Sequence, residues 1–497
     1  MTSQSSLCGG KVLSLRLISL AMGMTIVLAY SGALGSRKMG AIPLSLAIAL
    51  LTLVLVLVWI AFARRAIGLF PAWLLFVMLL PFLHLWTFIG FHYTDDSGPP
   101  LFWKVGLNSY IQDERIQDLT ATAGLILAAS FVGGLWAVRP VTLIPPKVEA
   151  SQAWIRMTGF EFSSLAIVAV LLAWVSAPQN LLLGPTDLDN APLGHAAGLY
   201  GGWLGSVVLA AVLAADIVKS SETSRIRYKV VVLITLLVVN VGWFGLLRGT
   251  REQLAGLFAV LFIFLFWGRN SSKPKLLARI AAVSVVTVVL VAGSALGVIR
   301  TEIRGATDPI EVAKASLVAL EREQFFGQGL FHGTWSAVLL TPVSVVGDWD
   351  RGTRGFDGGR SVLDLVLSIP PGPIAKAIGY ERPFSSDSNP AWEMRYGGGG
   401  THALVLPFMS FGFIGVAAVG ALYGMASSLI DRGVRGNSLS GFRLLSLGFL
   451  AGVAPWGLWY GDKYWVNAAL VLALVWVYIR MRRVLIKSEI NELVHEG

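Results

Sequence analysis

Two arginines with only glycine and threonine between them, Arg248 and Arg251, stand in the stretch GLLRGTREQLAG between two long apolar runs. Arginine is among the costliest side chains to bring near a bilayer core, roughly 2.5–3.5 kcal/mol on insertion scales. One reading is snorkelling, in which the long side chains lift their guanidinium groups to the headgroups. The other is a shared anionic ligand. Guanidinium presents a planar fork that fits phosphate oxygens, and the amides that open the next helix add partial positive charge. GVIRTEIRGATD repeats the chemistry: Arg300 and Arg304 lie one helical turn apart on one face, with Glu302 off it. An ordinary interfacial charge cluster would use the same residues, but four arginines at two helix ends favour an anion held between them. His402 follows four glycines in RYGGGGTHALVLPFMSFGFIGVAA. Glycines let backbone approach a ligand closely or flex. An imidazole suits proton transfer near neutrality. A lone interfacial histidine is more often inert; beside four arginines at one depth, His402 reads as the proton acceptor.

Other chemistries find little footing. There is no HExxH, no Cys/His ligand set, no phosphate-cradling P-loop and no Gly-x-Ser-x-Gly elbow, so neither a metal nor a cofactor is expected. Asp95 and Asp96 in HYTDDSGPP read as a solvated turn, and the second RGTR, Arg351–Arg354, as a chance recurrence. Trp392, Trp456 and Trp459 could stack on sugar rings, although an interfacial aromatic belt is the simpler account. The single cysteine, Cys8, cannot form an internal disulfide.

The elements that must position these groups are apolar helices. Hydrophobic residues make up 55% of the 497, charged residues only 14%, and 17 tryptophans and 54 glycines accompany them. The mean hydropathy is +0.69. These values predict an all-α, polytopic integral membrane protein rather than soluble domains. A crossing needs roughly 20 apolar residues, and about twelve such runs begin near Val12, Ala41, Gly68, Leu119, Phe160, Leu199, Val230, Glu252, Ile280, Ala403, Leu444 and Trp465. The alternating segments of a β-barrel are missing. The net charge of +10 is not a nucleic-acid footprint, because it marks alternate connections. Arg64 and Arg65, Arg225 and Arg227, Lys273 and Lys275, and Arg480 to Arg483 fall on one side, which the positive-inside rule makes cytoplasmic together with both termini. The Arg248/Arg251 turn then faces outward, as does one long insertion.

Three parts follow: helices 1–9 with short loops over 1–299, the large outer loop over 300–402, and helices 10–12 with a basic tail over 403–497. A loop of roughly 100 residues is usually functional. In it, DPIEVAKASLVALEREQF predicts an amphipathic helix with Asp308 as N-cap, Pro309 first and Ile310, Val312, Ala313, Leu317 and Leu320 on its apolar face. GTWSAVLLTPVSVV and SVLDLVLSIPPGPIAKAIG read as short helices or dips into the membrane surface, DWDRGTRGFDGGR as turn-rich. A folded extracytoplasmic lid is expected.

At these residues the chain resembles the oligosaccharide repeat-unit polymerases of the Wzy type and the related O-antigen ligases. Three features carry the likeness: LLRGTREQL opening a helix, GVIRTEIRG entering the loop, and GGGGTHALVLPFMSFGFIGV with its Phe-Gly-x-x-Gly pattern leaving it. Together they cover roughly residues 230 to 425. Two departures bear on polymerase against ligase. Leu404 to Leu406 stand where many polymerases carry an acidic residue, and Ala403 replaces the polar neighbour of the ligases' histidine. The resemblance implies a GT-C-like architecture in a bacterial inner membrane with the active site on the periplasmic side. It implies donor and acceptor glycans on undecaprenyl diphosphate, and partners such as a flippase and a chain-length regulator. Arg248, Arg251, Arg300 and Arg304 would stabilise the leaving diphosphate without a divalent metal, and His402 would take the proton of the attacking hydroxyl. The reading from another class is a transporter of an anionic or lipid-linked solute.

Overall fold

The computed structural model describes residues 43–67, 74–93, 108–137, 223–238, 309–322, 338–367 and 402–435, with short pieces near 207–217, 256–260 and 449–481. Among the described residues every regular element is a helix and none is a strand. In chain order these are α1 (Leu44–Ile67), α2 (Leu74–Tyr93), α3 (Asn108–Ile111), α4 (Glu114–Ala137) and α5 (Thr223–Leu237). They continue with α6 (Pro309–Arg322), α7 (Leu340–Asp350), α8 (Arg360–Leu367) and α9 (His402–Arg435). Two stretches, Glu114–Gly134 and His402–Ala426, are long and apolar enough to cross a membrane. The apolar runs predicted near Ala41, Gly68, Leu119, Val230 and Ala403 correspond to α1, α2, α4, α5 and α9. The other predicted crossings lie largely outside the described residues.

One core joins α1, α2, α4, α7 and α9. Leu83 and Phe88 of α2, Ile116 and Leu127 of α4, Val343 and Val346 of α7, and Leu404, Phe408 and Val416 of α9 are all at most 1% exposed. Hydroxyls inside this apolar mass turn back on their own helices. Thr52 donates to the Ile48 carbonyl at 2.8 Å, Thr87 to Leu83 at 2.9 Å, Thr120 to Ile116 at 2.8 Å and Ser344 to Leu340 at 2.7 Å. Each bond satisfies a polar group that would otherwise cost several kcal/mol in hydrocarbon surroundings (about 2–7 by transfer data).

Where α4 meets the second half of α9 the contact residues are small. A methyl group on Gly134 would collide with the Ala421 backbone, and one on Gly420 with the Ser130 hydroxyl. Small side chains at a crossing let two backbones approach closely. Outward faces are greasy: on α1, Leu44, Leu51, Val54 and Leu55 are 49–60% exposed, and on α5, Val231 and Ile234 are 60% and 54% exposed.

Of the insertion, the structure describes α6, α7 with the turn after it, and α8, and the first two differ in burial. α7 is buried on all sides from Leu340 to Asp348, a plug between α3, α4 and α9 rather than a dip into a membrane surface. Its apolar residues occupy every face, which is the pattern of an interior helix. α6 does begin at Pro309, but Ile310, Ala313 and Leu317 of its apolar stripe face outward among the described residues.

α9 is not one helix. At Phe411 (φ −145°, ψ 20°) and Gly412 (φ 62°, ψ −144°) the backbone leaves helical space. Residues eight apart in a straight helix are separated by about 12 Å along the axis. Here a side chain on Gly415 would collide with the Pro407 carbonyl, so the chain folds back on itself. Gly412 takes a positive φ that side chains disfavour, and Gly415 leaves room for the return. Pro407, with no N–H to donate, weakens the ladder just before the bend.

Candidate functional site

His84 and His402 lie 318 residues apart in sequence and meet in the core, Nε2 to Nε2, at 3.2 Å. His84 is 3% exposed and His402 fully buried. The ring centroids are 5.2 Å apart and tilted by 49°. His84 reaches this point because α4 carries Gly124 beside it; a methyl group there would occupy the His84 ring position. Phe88, one turn on, meets the His84 ring edge-on at 6.3 Å between centroids.

His402 caps the first half of α9. Its Nδ1 accepts the Leu404 backbone N–H at 3.2 Å, the bond an N-cap side chain makes to the second helical residue. It also has φ 52°, a left-handed backbone that among the described residues no other non-glycine adopts. Such outliers persist where surroundings over-determine them, and they gather at functional sites. The hydrogen bonds fix the tautomers. With Nδ1 accepting, the His402 proton sits on Nε2 and points at His84; His84 Nε2 accepts it and carries its own proton on Nδ1. In this arrangement both nitrogens of His402 are engaged, and neither presents a lone pair to an incoming hydroxyl. The predicted acceptor therefore stands in the packed interior, not at an open rim.

Depth can be read along the helices. Gly124 is ten residues from Glu114, about 15 Å at 1.5 Å per residue. His84 is nine residues from Tyr93, about 14 Å.

At the Glu114 end the structure builds a second cluster. Gly347 of α7 packs on the Tyr110 ring, where a side chain would approach to 2.6 Å. The Tyr110 hydroxyl donates to Asp348 Oδ1 at 2.9 Å, and the Thr353 hydroxyl donates to the same oxygen at 3.0 Å. Arg351 lies 4.4 Å above the Tyr110 ring and pairs with Asp113 at 3.3 Å, while Arg115 pairs with Asp350 at 2.9 Å. Burial, reinforced by the hydrogen bond to Asp348 and its charge, pushes the Tyr110 phenol above its ordinary value; the Arg351 charge opposes this.

The turn after α7 then clasps the bend of α9. Asp357 N–H donates to the Met409 carbonyl at 3.0 Å, taking the place of the helical donor lost at the break. Phe356 stacks on Trp349 at 5.6 Å and lies against Gly412. The Asp357 carboxylate in turn holds the start of α8 through the Gly359 and Ser361 amides, each at 3.2 Å, and the Ser361 hydroxyl.

No protein family, curated protein or solved structure matches this chain. Of the residues singled out in sequence, His402 is placed as above, while Arg248, Arg251, Arg300, Arg304, Asp95, Asp96, Trp392 and Cys8 lie outside the described residues. Trp456 and Trp459 are each 5% exposed, too buried for sugar stacking. Two functional candidates were missed. His84 is one polar residue in the apolar run LLPFLHLWTFIG and gives no periodic signal; Arg351, in the RGTR set aside as chance, braces the rim.

Proposed function

We propose that the protein is a bacterial inner-membrane enzyme that polymerises oligosaccharide repeat units carried on undecaprenyl diphosphate. The membrane part rests on helices long enough to cross and on leucine- and valine-rich outward faces of α1 and α5. One observation carries the rest. The Phe-Gly-x-x-Gly pattern on which the family resemblance partly stands falls on the bend of α9, where Gly412 and Gly415 have separate steric duties. A motif with a mechanical reason is a stronger basis for the resemblance than a string match.

In the proposed reaction an acceptor sugar hydroxyl attacks C1 of the donor glycan. The C1–O bond to diphosphate breaks, and the lipid diphosphate departs with both bonding electrons. Arg248, Arg251, Arg300 and Arg304 stabilise that developing charge. The hydroxyl proton goes to His402 at Nδ1, the nitrogen without a proton in this arrangement, and this step requires the Leu404 N–H contact to open first, while the Nε2–H stays directed at His84. A ligase performs the same bond exchange on a different acceptor. Sizing surface glycans after gene deletion separates the two: one repeat unit left on its carrier supports the polymerase, and untransferred polymer supports the ligase.

A transporter is the second reading, and the broken α9 with a histidine pair at one end favours it, because discontinuous helices often mark transport sites. Purified protein with lipid-diphosphate repeat units discriminates. The polymerase reading expects a ladder of products without any ion gradient, and its loss in Arg251→Ala with protein level unchanged. Substrate translocation that needs a gradient, with no ladder, would replace the enzyme by the transporter.

A further inference from the structure

We infer that His84 is the positioning residue of this site: by accepting the His402 Nε2–H it holds the proton on that nitrogen and keeps Nδ1 as the basic one. The inference deepens the glycan-transfer reading and rests on it for the role of His402 as proton acceptor; the pairing itself stands on geometry. Which nitrogen of an imidazole carries the proton is set by the hydrogen bond the other nitrogen makes. Two contacts set it for His402 at rest: the Leu404 N–H, accepted by Nδ1 at 3.2 Å, and His84 Nε2, 3.2 Å from Nε2. The first must open before Nδ1 can take a proton. From then on the tautomer depends on His84. Once Nδ1 is protonated, the ring is a cation with an N–H on each side. The Nε2–H bond to His84 then becomes charge-assisted, roughly twice as strong as one between neutral groups. His84 therefore favours the protonated His402 over the resting one, and it does so without touching substrate.

A neutral partner suits the surroundings. Both rings are buried. A carboxylate in the place of His84 would carry a full charge into packed apolar protein, a loss of hydration that only excellent pairing repays. An imidazole accepts the same proton as a neutral group, provided its own proton sits on Nδ1. The fold secures this ring from two sides. Gly124 of α4 leaves the space beside His84 Nδ1 and Cε1, where a methyl group would collide, and Phe88 meets the ring edge-on. At the other end the His402 ring is oriented by its own cap bond and by a backbone held at φ 52°. One proton is thus placed by residues from three helices, α2, α4 and α9.

The test reads the proton and the turnover separately. The full chain is prepared with nitrogen-15-labelled histidine in lipid vesicles, and the His84 and His402 resonances are assigned by their loss in His84→Leu and His402→Leu. The expected spectrum shows a protonated Nε2 and an unprotonated Nδ1 on His402, the reverse on His84, and a scalar coupling between the two Nε2 nuclei. A proton on His84 Nε2, or two uncoupled rings, would overturn the inference. Turnover is then measured on lipid-diphosphate repeat units. His84→Leu should lower kcat roughly 10–100-fold, the usual loss when the partner that orients a functional imidazole is removed. KM should change little, because the bond gains strength only as the proton is taken. His84→Gln, whose side-chain oxygen can accept where Nε2 did, should recover most of the turnover lost in His84→Leu. Equal kcat in the two variants, or a loss confined to KM, would overturn the positioning role. A parent protein that forms no ladder would remove the glycan-transfer reading and that role with it, whereas a missing coupling in an active protein removes the inference alone.

Discussion

α4 and α9 face each other at two levels that are built on opposite principles. At the level of Gly124 the described residues bring together a neutral pair, His84 and His402, which satisfy each other and the Leu404 amide with no counter-ion among the described residues. At the Glu114 end Arg351 pairs with Asp113, Arg115 with Asp350, and Asp348 receives two hydroxyl donors. The difference follows from the surroundings. Charges deep in an apolar core lose hydration that pairing repays only with excellent geometry, whereas at a wet end ion pairs cost little and contribute little. The deep level is thus where single atoms matter, and the rim is where many weak contacts share the load.

The largest effect should come from the bend that links the levels. Gly415→Leu forces a branched side chain against the Pro407 carbonyl, which is backbone and cannot swing aside. Overpacking of this kind costs about 1–3 kcal/mol when neighbours can adjust and more when they cannot. The expectation is a drop in unfolding temperature of the detergent-purified protein beyond that of any rim variant. An unchanged transition would mean that the two halves of α9 do not fold back.

This bend also marks the limit of what the sequence reveals. The helices at Leu44, Leu74, Glu114 and His402 were legible because twenty apolar residues in a row have few other uses. The fold-back was not, since hydropathy averages over a window wider than the joint and Pro407, Gly412 and Gly415 are all tolerated in apolar helices. His402 was noticed for its glycine-rich approach, but its partner could not be, because neither periodicity nor spacing links positions 84 and 402. The interior position of α7 escaped for a related reason. Its residues are apolar on every face, yet eleven residues are too few to span, so they suggested a short helix or a surface dip, and only the short helix is found, in the interior.

A smaller effect belongs to the histidine pair and sharpens the contrast in chemistry. His84→Leu removes the acceptor of the His402 Nε2–H while leaving that donor buried, a loss of about 1–3 kcal/mol. His402→Leu removes both the pair and the helix cap. The double variant should cost well under the sum, with a coupling of about 0.5–3 kcal/mol insensitive to salt. Additive losses would show that the two rings do not share a proton.

The rim should respond least and in the opposite manner to salt and pH. Arg115 is 76% exposed on its side chain, so Arg115→Ala should cost at most about 1 kcal/mol and less as ionic strength rises. Alkaline pH acts on the same cluster through Tyr110. Its phenol is raised above 10.0 by burial and by Asp348, so the folded protein holds that proton more tightly than the unfolded chain does. The associated stability is fully present below pH 10.0 and is lost as pH rises through the higher folded value. Tyr110→Phe should therefore flatten part of the alkaline decline in unfolding temperature, while His84→Leu leaves that decline as it was. If the phenylalanine variant declined as steeply as the parent protein, Tyr110 would not be the group that loosens the rim, and the division between a neutral interior and a titratable end would have to be drawn elsewhere.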